Sequence, residues 1–257
     1  MTPYTLITGA SKGLGLALAH ECAAHGQHLI LTARTFDLLE KIKFEFEKRY
    51  NISVEVISVD LTKQGAVAEI KRFCDDNNYV VNALINNAGF GNTGEFAETE
   101  MARDLDMVHV NISVLTEMTK LFLKDMKTRK DGRIMNVAST AAFQPGPYGS
   151  VYYASKAYVY SFSCALHEEL KGTGVSVTAL CPGPTDTDFF KEAKMEALKL
   201  KRTHMMSAEA VAKAGFKAMM KGKRECVPGF KNRFLIFAGK LAPMGITLKA
   251  VKWMMKE

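Results

Sequence analysis

The chain has 257 residues, 47% hydrophobic and 24% charged, a balance that suits one compact α/β domain with a full core. No apolar run reaches the roughly 18 residues of a transmembrane helix, and the five cysteines (Cys22, Cys74, Cys164, Cys181, Cys226) form neither a disulfide framework nor a Cys-x-x-Cys pair. The net charge of +7 is uneven: from Lys191 to Glu257 sixteen Lys and Arg face five Glu, a net of +11 that leaves −4 for the first 190 residues.

Basicity therefore belongs to the last quarter of the chain. It reads first as a solvated surface, and otherwise as an attraction for an anionic part of a substrate, an acidic partner or a membrane surface. Neither a nucleic-acid partner nor a metal site is expected. The first strand begins a few residues after Met1, which leaves no room for a signal peptide. Isolated thiols fit a reducing cytosol, so a cytoplasmic location is expected.

In chain order, Tyr4–Thr8 reads as a buried strand. It runs into Gly9-Ala10-Ser11-Lys12-Gly13-Leu14-Gly15 and then a helical pattern from Leu16 to Ala24. Glycines let the backbone turn tightly and approach a ligand. The free N–H groups of the helix start, helped by its dipole, make a diphosphate site. The spacing is Gly-x-x-x-Gly-x-Gly, not the commoner Gly-x-Gly-x-x-Gly.

The second strand, His28–Arg34, ends on Ala33 and Arg34, where folds that select NAD carry an acid. A guanidinium there can pair with a 2′-phosphate, so NADP is favoured, with Lys12 as a second cation. A helix from Leu38 to Tyr50 and a strand from Ile52 to Val59 come next. That strand ends in Asp60-Leu61-Thr62, where Asp60 could accept from an adenine amino group or cap the helix from Lys63. Ala83–Asn86 is the fourth strand and leads into Asn87-Ala88-Gly89, small residues that let backbone pass close to a ribose.

Thr99 to Arg129 has helical periodicity, with Met101, Leu105, Val108, Ile112, Leu115 and Met118 at three- and four-residue steps. Asn111 inside it is a satisfied amide, or a bend that binds a water leading to Lys156. The strand Arg133–Ala138 ends at Ser139, and a loop through Pro145 and Pro147 leads to a helix from Val151 to about Lys171. Tyr152 and Lys156 lie one turn apart on one face of that helix. An ammonium within about 4–6 Å favours phenolate and lowers the tyrosine pKa, while a strand-end hydroxyl at Ser139 could hold a carbonyl oxygen. Tyr153 and Thr140 are weaker candidates for the same roles, and strand alternation points Thr140 to the opposite face.

Val175–Leu180 is the sixth strand, followed by Cys181-Pro182-Gly183-Pro184-Thr185-Asp186-Thr187, a rigid turn whose hydroxyls could face a nicotinamide amide. Lys191–Arg202 reads as a basic helix, Ser207 as a helix cap, and Glu225–Pro228 as a short last strand. Eight of the fourteen methionines lie beyond Pro182, which suits either an adaptable apolar lid or simple packing. The tail from Phe230 mixes apolar and basic residues in two helical pieces divided by Pro243 and Gly245. Packing on the domain or a second subunit is expected, with a membrane surface as the alternative.

Taken together, these motifs resemble the short-chain dehydrogenase/reductase family. Those that carry the likeness are Thr8 to Gly15, Asp60, Asn86 to Gly89, Asn111–Ser139–Tyr152–Lys156 in order, and Pro182-Gly183 with Thr187. The resemblance implies a doubly wound Rossmann fold: a seven-stranded parallel sheet with helices on both faces, here with a C-terminal helical extension. It implies one domain, with residues 1–190 as the coenzyme and catalytic core, 191–229 as substrate lid and last helix and strand, and 230–257 as the extension.

It further implies an NADP(H)-dependent oxidoreductase acting on a carbonyl or secondary alcohol, an apolar small molecule. Tyr152 would be the general acid or base and Lys156 would tune it and hold the nicotinamide ribose. Ser139 would orient the carbonyl, and Asn111 would hold a relay water. Cofactor contacts would come from Gly9, Ser11, Lys12, Gly13, Leu14, Gly15, Arg34, Asp60, Leu61, Asn87, Ala88, Gly89, Tyr152, Lys156, Pro182, Gly183, Thr185 and Thr187. A homodimer or homotetramer is implied. The alternatives are a catalytically silent NADP-binding regulator or scaffold, and a membrane-surface reductase of lipid carbonyls.

Overall fold

Short runs of Leu, Ile and Val too apolar to face water on either side form the strands. In the computed structural model, which describes residues 3–189, 193 and 205–255, they lie parallel in one sheet. The strands are β1 (Pro3–Thr8), β2 (His28–Ala33), β3 (Val54–Ser58), β4 (Val80–Asn86), β5 (Gly132–Val137) and β6 (Val175–Leu180). Two short ladder elements, β7 (Thr185–Asp186) and β8 (Met206–Ser207), pair with each other. Glu225–Cys226 forms β9, which completes a seven-stranded sheet in the order β3-β2-β1-β4-β5-β6-β9.

Alternation along the strands divides the core into two layers. Ile7 and Leu31 point to the side of Leu18, Phe46 and Phe216. Leu6, Ile30 and Leu84 point to the side of Ile70, Val114 and Phe122. The first layer is covered by α1 (Gly13–Ala24), α2 (Phe36–Tyr50) and α7 (Ala208–Met220). The second is covered by α3 (Ala66–Asp76) and by α5 (Leu115–Arg129), with α6 (Ser150–Glu169) beside it. The chain moves outward through β1, β2 and β3, then returns to β4 on the other side of β1. The carboxyl ends of β1 and β4 therefore flank the point where strand order reverses, the place where open α/β sheets bind ligands.

The single helix expected over 99–129 is interrupted. α4 (Met101–Val108) passes into a π-helical stretch, His109–Val114, before α5. The three- and four-residue periodicity of the apolar residues runs through the wider turn and conceals it. Behind it, buried amides thread the core: Asn86 Nδ2 donates to Thr119 Oγ1 at 3.0 Å and to Asn136 Oδ1 at 2.9 Å. Asn136 Nδ2 donates to Ser163 Oγ at 2.9 Å. This thread ties β4, β5, α5 and α6 together in register.

Ser207 caps α7, its Oγ accepting from the Ala210 amide at 3.2 Å. After β9, Gly229 turns the chain into α8 (Phe230–Leu241) and, past Pro243, α9 (Met244–Met254), the two helical pieces expected of the tail. Val251 and Met255 anchor this tail, at 2% and 4% exposure. The basic helix expected over Lys191–Arg202 and the lid methionine Met195 lie outside the described residues. No described helix is long and apolar enough to cross a membrane.

Candidate active site

The strand ends open onto a cleft of about 900 Å³. At its floor the glycine turn succeeds β1, with Gly9 and Gly13 at φ 65° and 55°, where a side chain would be strained. A Cβ on Gly15 would stand 2.1 Å from the Gly9 carbonyl oxygen, so only glycine lets α1 start this close beneath the turn. Asn87 fastens the turn to β4. Its Nδ2 donates to the Thr8 and Gly9 carbonyls at 2.9 and 3.1 Å, while the Asn87 and Ala88 amides donate to Thr8 Oγ1 at 3.0 and 2.9 Å. No side chain caps α1, and Gly13, Leu14 and Gly15 of its first turn line the cleft beside Ser11 and Lys12.

Arg34 stands exposed at the end of β2, on the same cleft as Lys12. Asp60 also lines it, but the helix-cap reading is corrected: α3 begins only at Ala66, behind Gly65. Instead Asp60 Oδ1 accepts from the Thr62 amide and hydroxyl at 3.0 and 2.9 Å, and the amide bond above all holds its carboxyl below the ordinary value. An open helix start, a cation in the turn and another at the β2 end, and a turn that excludes side chains fit a phosphorylated dinucleotide laid along the cleft.

At the other end the Ser139 and Tyr152 side chains share the cleft wall, and the Ser139 hydroxyl acts to hold the phenol's value down. Ser139 Oγ also accepts from the Ala141 amide at 3.1 Å, which fixes its rotamer at the start of a 3₁₀ turn, Thr140–Phe143. Because β5 has already ended at Val137, strand alternation does not extend to Ser139 and Thr140. Thr140 lines the cleft with Ser139 instead of facing away from it, contrary to expectation. Tyr153 is equally buried, but its hydroxyl is directed to Met255 Sδ at 3.7 Å, away from Ser139.

Lys156 Nζ donates to the Val137 carbonyl at 2.9 Å and lies 5.8 Å from the centre of the Tyr152 ring. The expected acidification of the phenol is not what this arrangement gives. Burial pushes Tyr152 up to about 12, opposed by the Ser139 hydroxyl. Burial likewise pulls Lys156 down to about 8. With the ammonium turned to a carbonyl, desolvation outweighs attraction.

Asn111 is the one expected site residue that does not line the cleft. It sits in the π-helical stretch, 1% exposed, and its amide makes three hydrogen bonds. Oδ1 accepts from the Phe90 amide at 3.2 Å, and Nδ2 donates to the Phe90 carbonyl and to Ser155 Oγ, each at 3.0 Å. The side chain therefore clamps the segment after β4 against α6. A Cβ on Gly89 would meet Asn111 Oδ1 at 2.8 Å, which explains the glycine there.

Pro182, Gly183, Thr185 and Thr187 complete the wall. The hydroxyls of the two threonines turn to local carbonyls, Thr185 Oγ1 to Gly183 at 2.9 Å and Thr187 Oγ1 to Thr185 at 3.5 Å. Sequence reasoning missed Phe90, Gln144, Phe189 and the direct approach of Met254 to the cleft. The Phe189 ring lies 5.6 Å from that of Tyr152. Phe90 could have been found from its place directly after Asn87-Ala88-Gly89, whereas Phe189 carries no motif of its own.

The model of the short chain dehydrogenase family matches residues 3–197. The chain is 31% identical over 229 residues to the 17-beta-hydroxysteroid dehydrogenase type 3 of Mus musculus, covering 88% of this chain and 72% of that protein. It is 35% identical over 224 residues to the sulfoacetaldehyde reductase of Chromohalobacter salexigens, covering 84% and 87%. Among solved structures, a short-chain dehydrogenase from Sphingobium yanoikuyae in complex with NADPH superposes with a TM-score of 0.83 at 26% identity, over 93% of each chain.

Proposed function

The chain belongs to the short-chain dehydrogenase family, and from that premise we propose that it is an NADPH-dependent reductase of apolar ketones or aldehydes. The observation that carries this reading is the convergence of Ser139, Tyr152 and Lys156 on the same cleft as the glycine turn and Arg34. Residues 1–190 are assigned the coenzyme and catalytic work, and the later segments shape the substrate side.

Reduction of a carbonyl needs a hydride on carbon and a proton on oxygen, and the bound dinucleotide supplies the first. Gly9 to Gly15 and the α1 start would hold its diphosphate, Lys12 and Arg34 its 2′-phosphate, and Lys156 its ribose. Ser139 donates a hydrogen bond to the carbonyl oxygen as negative charge develops there. Tyr152 then passes its proton to that oxygen. A phenol held near 12 keeps this proton at neutral pH, yet an alkoxide is basic enough to take it. Asn111 acts by position, holding Phe90 and α6 so that the cleft walls keep their spacing.

Relatives named for a steroid and for a sulfonated aldehyde show how widely substrates vary on this frame. The rings of Phe90, Phe189 and Tyr153, with Met254, support an apolar substrate here. Met101, Leu105 and Val108 recur at helical spacing on α4 with 76%, 61% and 37% exposure, which supports pairing of two copies through this helix layer. A panel of ketones and aldehydes incubated with NADPH, followed by loss of nicotinamide absorbance, tests the reading. Turnover of bulky apolar carbonyls is expected, and a panel with no NADPH oxidation would overturn it.

A further inference from the structure

We propose that the outer face of α8 and α9 docks the protein onto a membrane rich in anionic lipid. No residue of α8 is buried. Phe230, Phe234, Phe237 and Leu241 are 80%, 59%, 62% and 72% exposed, and their spacing of four, three and four places them on one stripe. Met244 and Ile246, 62% and 61% exposed, extend the apolar surface into α9.

The charge pattern says what covers this surface. Lys231, Arg233 and Lys249 are exposed, and no Asp or Glu occurs between Phe230 and Met255. A two-fold pairing of this face with a second copy would set three cations against three with no acid to offset them. An anionic bilayer instead accepts the rings into its interface and the cations among its headgroups. Each helix is too short to span, so the surface lies in the interface plane.

The opposite side of the tail is held to the body. Asn232 Nδ2 donates to the Pro228 carbonyl at 2.8 Å, Lys240 Nζ lies 5.3 Å from the centre of the Phe143 ring, and Met255 meets Tyr153. Since Met254 lines the cleft, the docking face borders the substrate entrance. The proposal does not depend on the catalytic reading.

The test is flotation of the full-length protein with vesicles of phosphatidylcholine alone and of phosphatidylcholine with phosphatidylglycerol, at low and high salt. Recovery with the anionic vesicles is expected to exceed that with neutral ones about tenfold at low salt and to fall at high salt. Phe234→Glu/Phe237→Glu and, separately, Lys231→Glu/Lys249→Glu should each reduce recovery about tenfold while leaving ketone turnover in solution unchanged. If the first variant fails to fold, the second still decides. Absent flotation, equal recovery on neutral vesicles, or binding that folded variants retain would overturn the proposal. So would light scattering that shows these substitutions splitting a dimer. Loss of turnover with intact flotation would count against the catalytic reading alone.

Discussion

Lys156 Nζ stands 5.8 Å from the centre of the Tyr152 ring and gives its hydrogen bond to the Val137 carbonyl at 2.9 Å. Tyr and Lys thus share a buried site without forming an ion pair. Each is driven toward its neutral form, the phenol to about 12 and the ammonium to about 8. The substrate-free protein therefore keeps a proton on Tyr152 at neutral pH.

Lys156 makes stability depend on pH. Its ordinary value is 10.5 and its folded value about 8, so between the two the unfolded chain binds more protons. Stability attributable to this group therefore rises with pH across that window. Tyr152 has the opposite sign: its folded value of about 12 lies above the ordinary 10.0, so its contribution falls as pH climbs between them. Urea unfolding of wild type and Lys156→Met at about pH 7.5 and 9.5 should show wild type gaining on the order of 2 kcal/mol relative to the variant.

Coenzyme choice rests on Arg34. Arg34→Ala should weaken NADPH binding about 10- to 100-fold, the scale of a charge-assisted contact, while NADH binding changes little. Titration of both coenzymes by fluorescence checks this. An equal loss for both would assign Arg34 no 2′-phosphate contact.

The glycine turn offers a steric test. A Cβ at Gly15 would lie 2.1 Å from Gly9 O and 2.5 Å from Asn87 Nδ2, whereas one at Gly245 meets nothing within 4 Å. Gly15→Ala should cost about 1–3 kcal/mol or more through overpacking and displace the turn. Its melting temperature should fall by several degrees and NADPH affinity about tenfold or more, with Gly245→Ala as the silent control.

Much of this architecture was legible because motif residues sit where strands end. Gly9, Gly15 and Asn87 are dictated by close backbone approach, and such constraints leave few residue choices. The π-helical stretch was not legible, since one widened turn barely disturbs the periodicity of Met101 to Met118. For Asn111 the satisfied amide was legible but not its partner Phe90, and for Asp60 spacing did not reveal that its carboxylate turns to Thr62 instead of capping a helix. The direction of the Tyr152 shift was missed because helical spacing gives proximity but not where the Lys156 ammonium points. Burial, which decides the sign, is a property of the whole fold.

The central claim is that the Tyr152 hydroxyl, and not its neighbour's, delivers the proton. Single-turnover reduction of a ketone by NADPH, compared between Tyr152→Phe and Tyr153→Phe, tests it most directly. Tyr152→Phe should lose about 10²- to 10⁴-fold in rate with NADPH affinity nearly unchanged, while Tyr153→Phe keeps most of its activity. A Tyr152→Phe enzyme that still turns over, or a Tyr153→Phe enzyme that fails with its fold intact, would contradict the account.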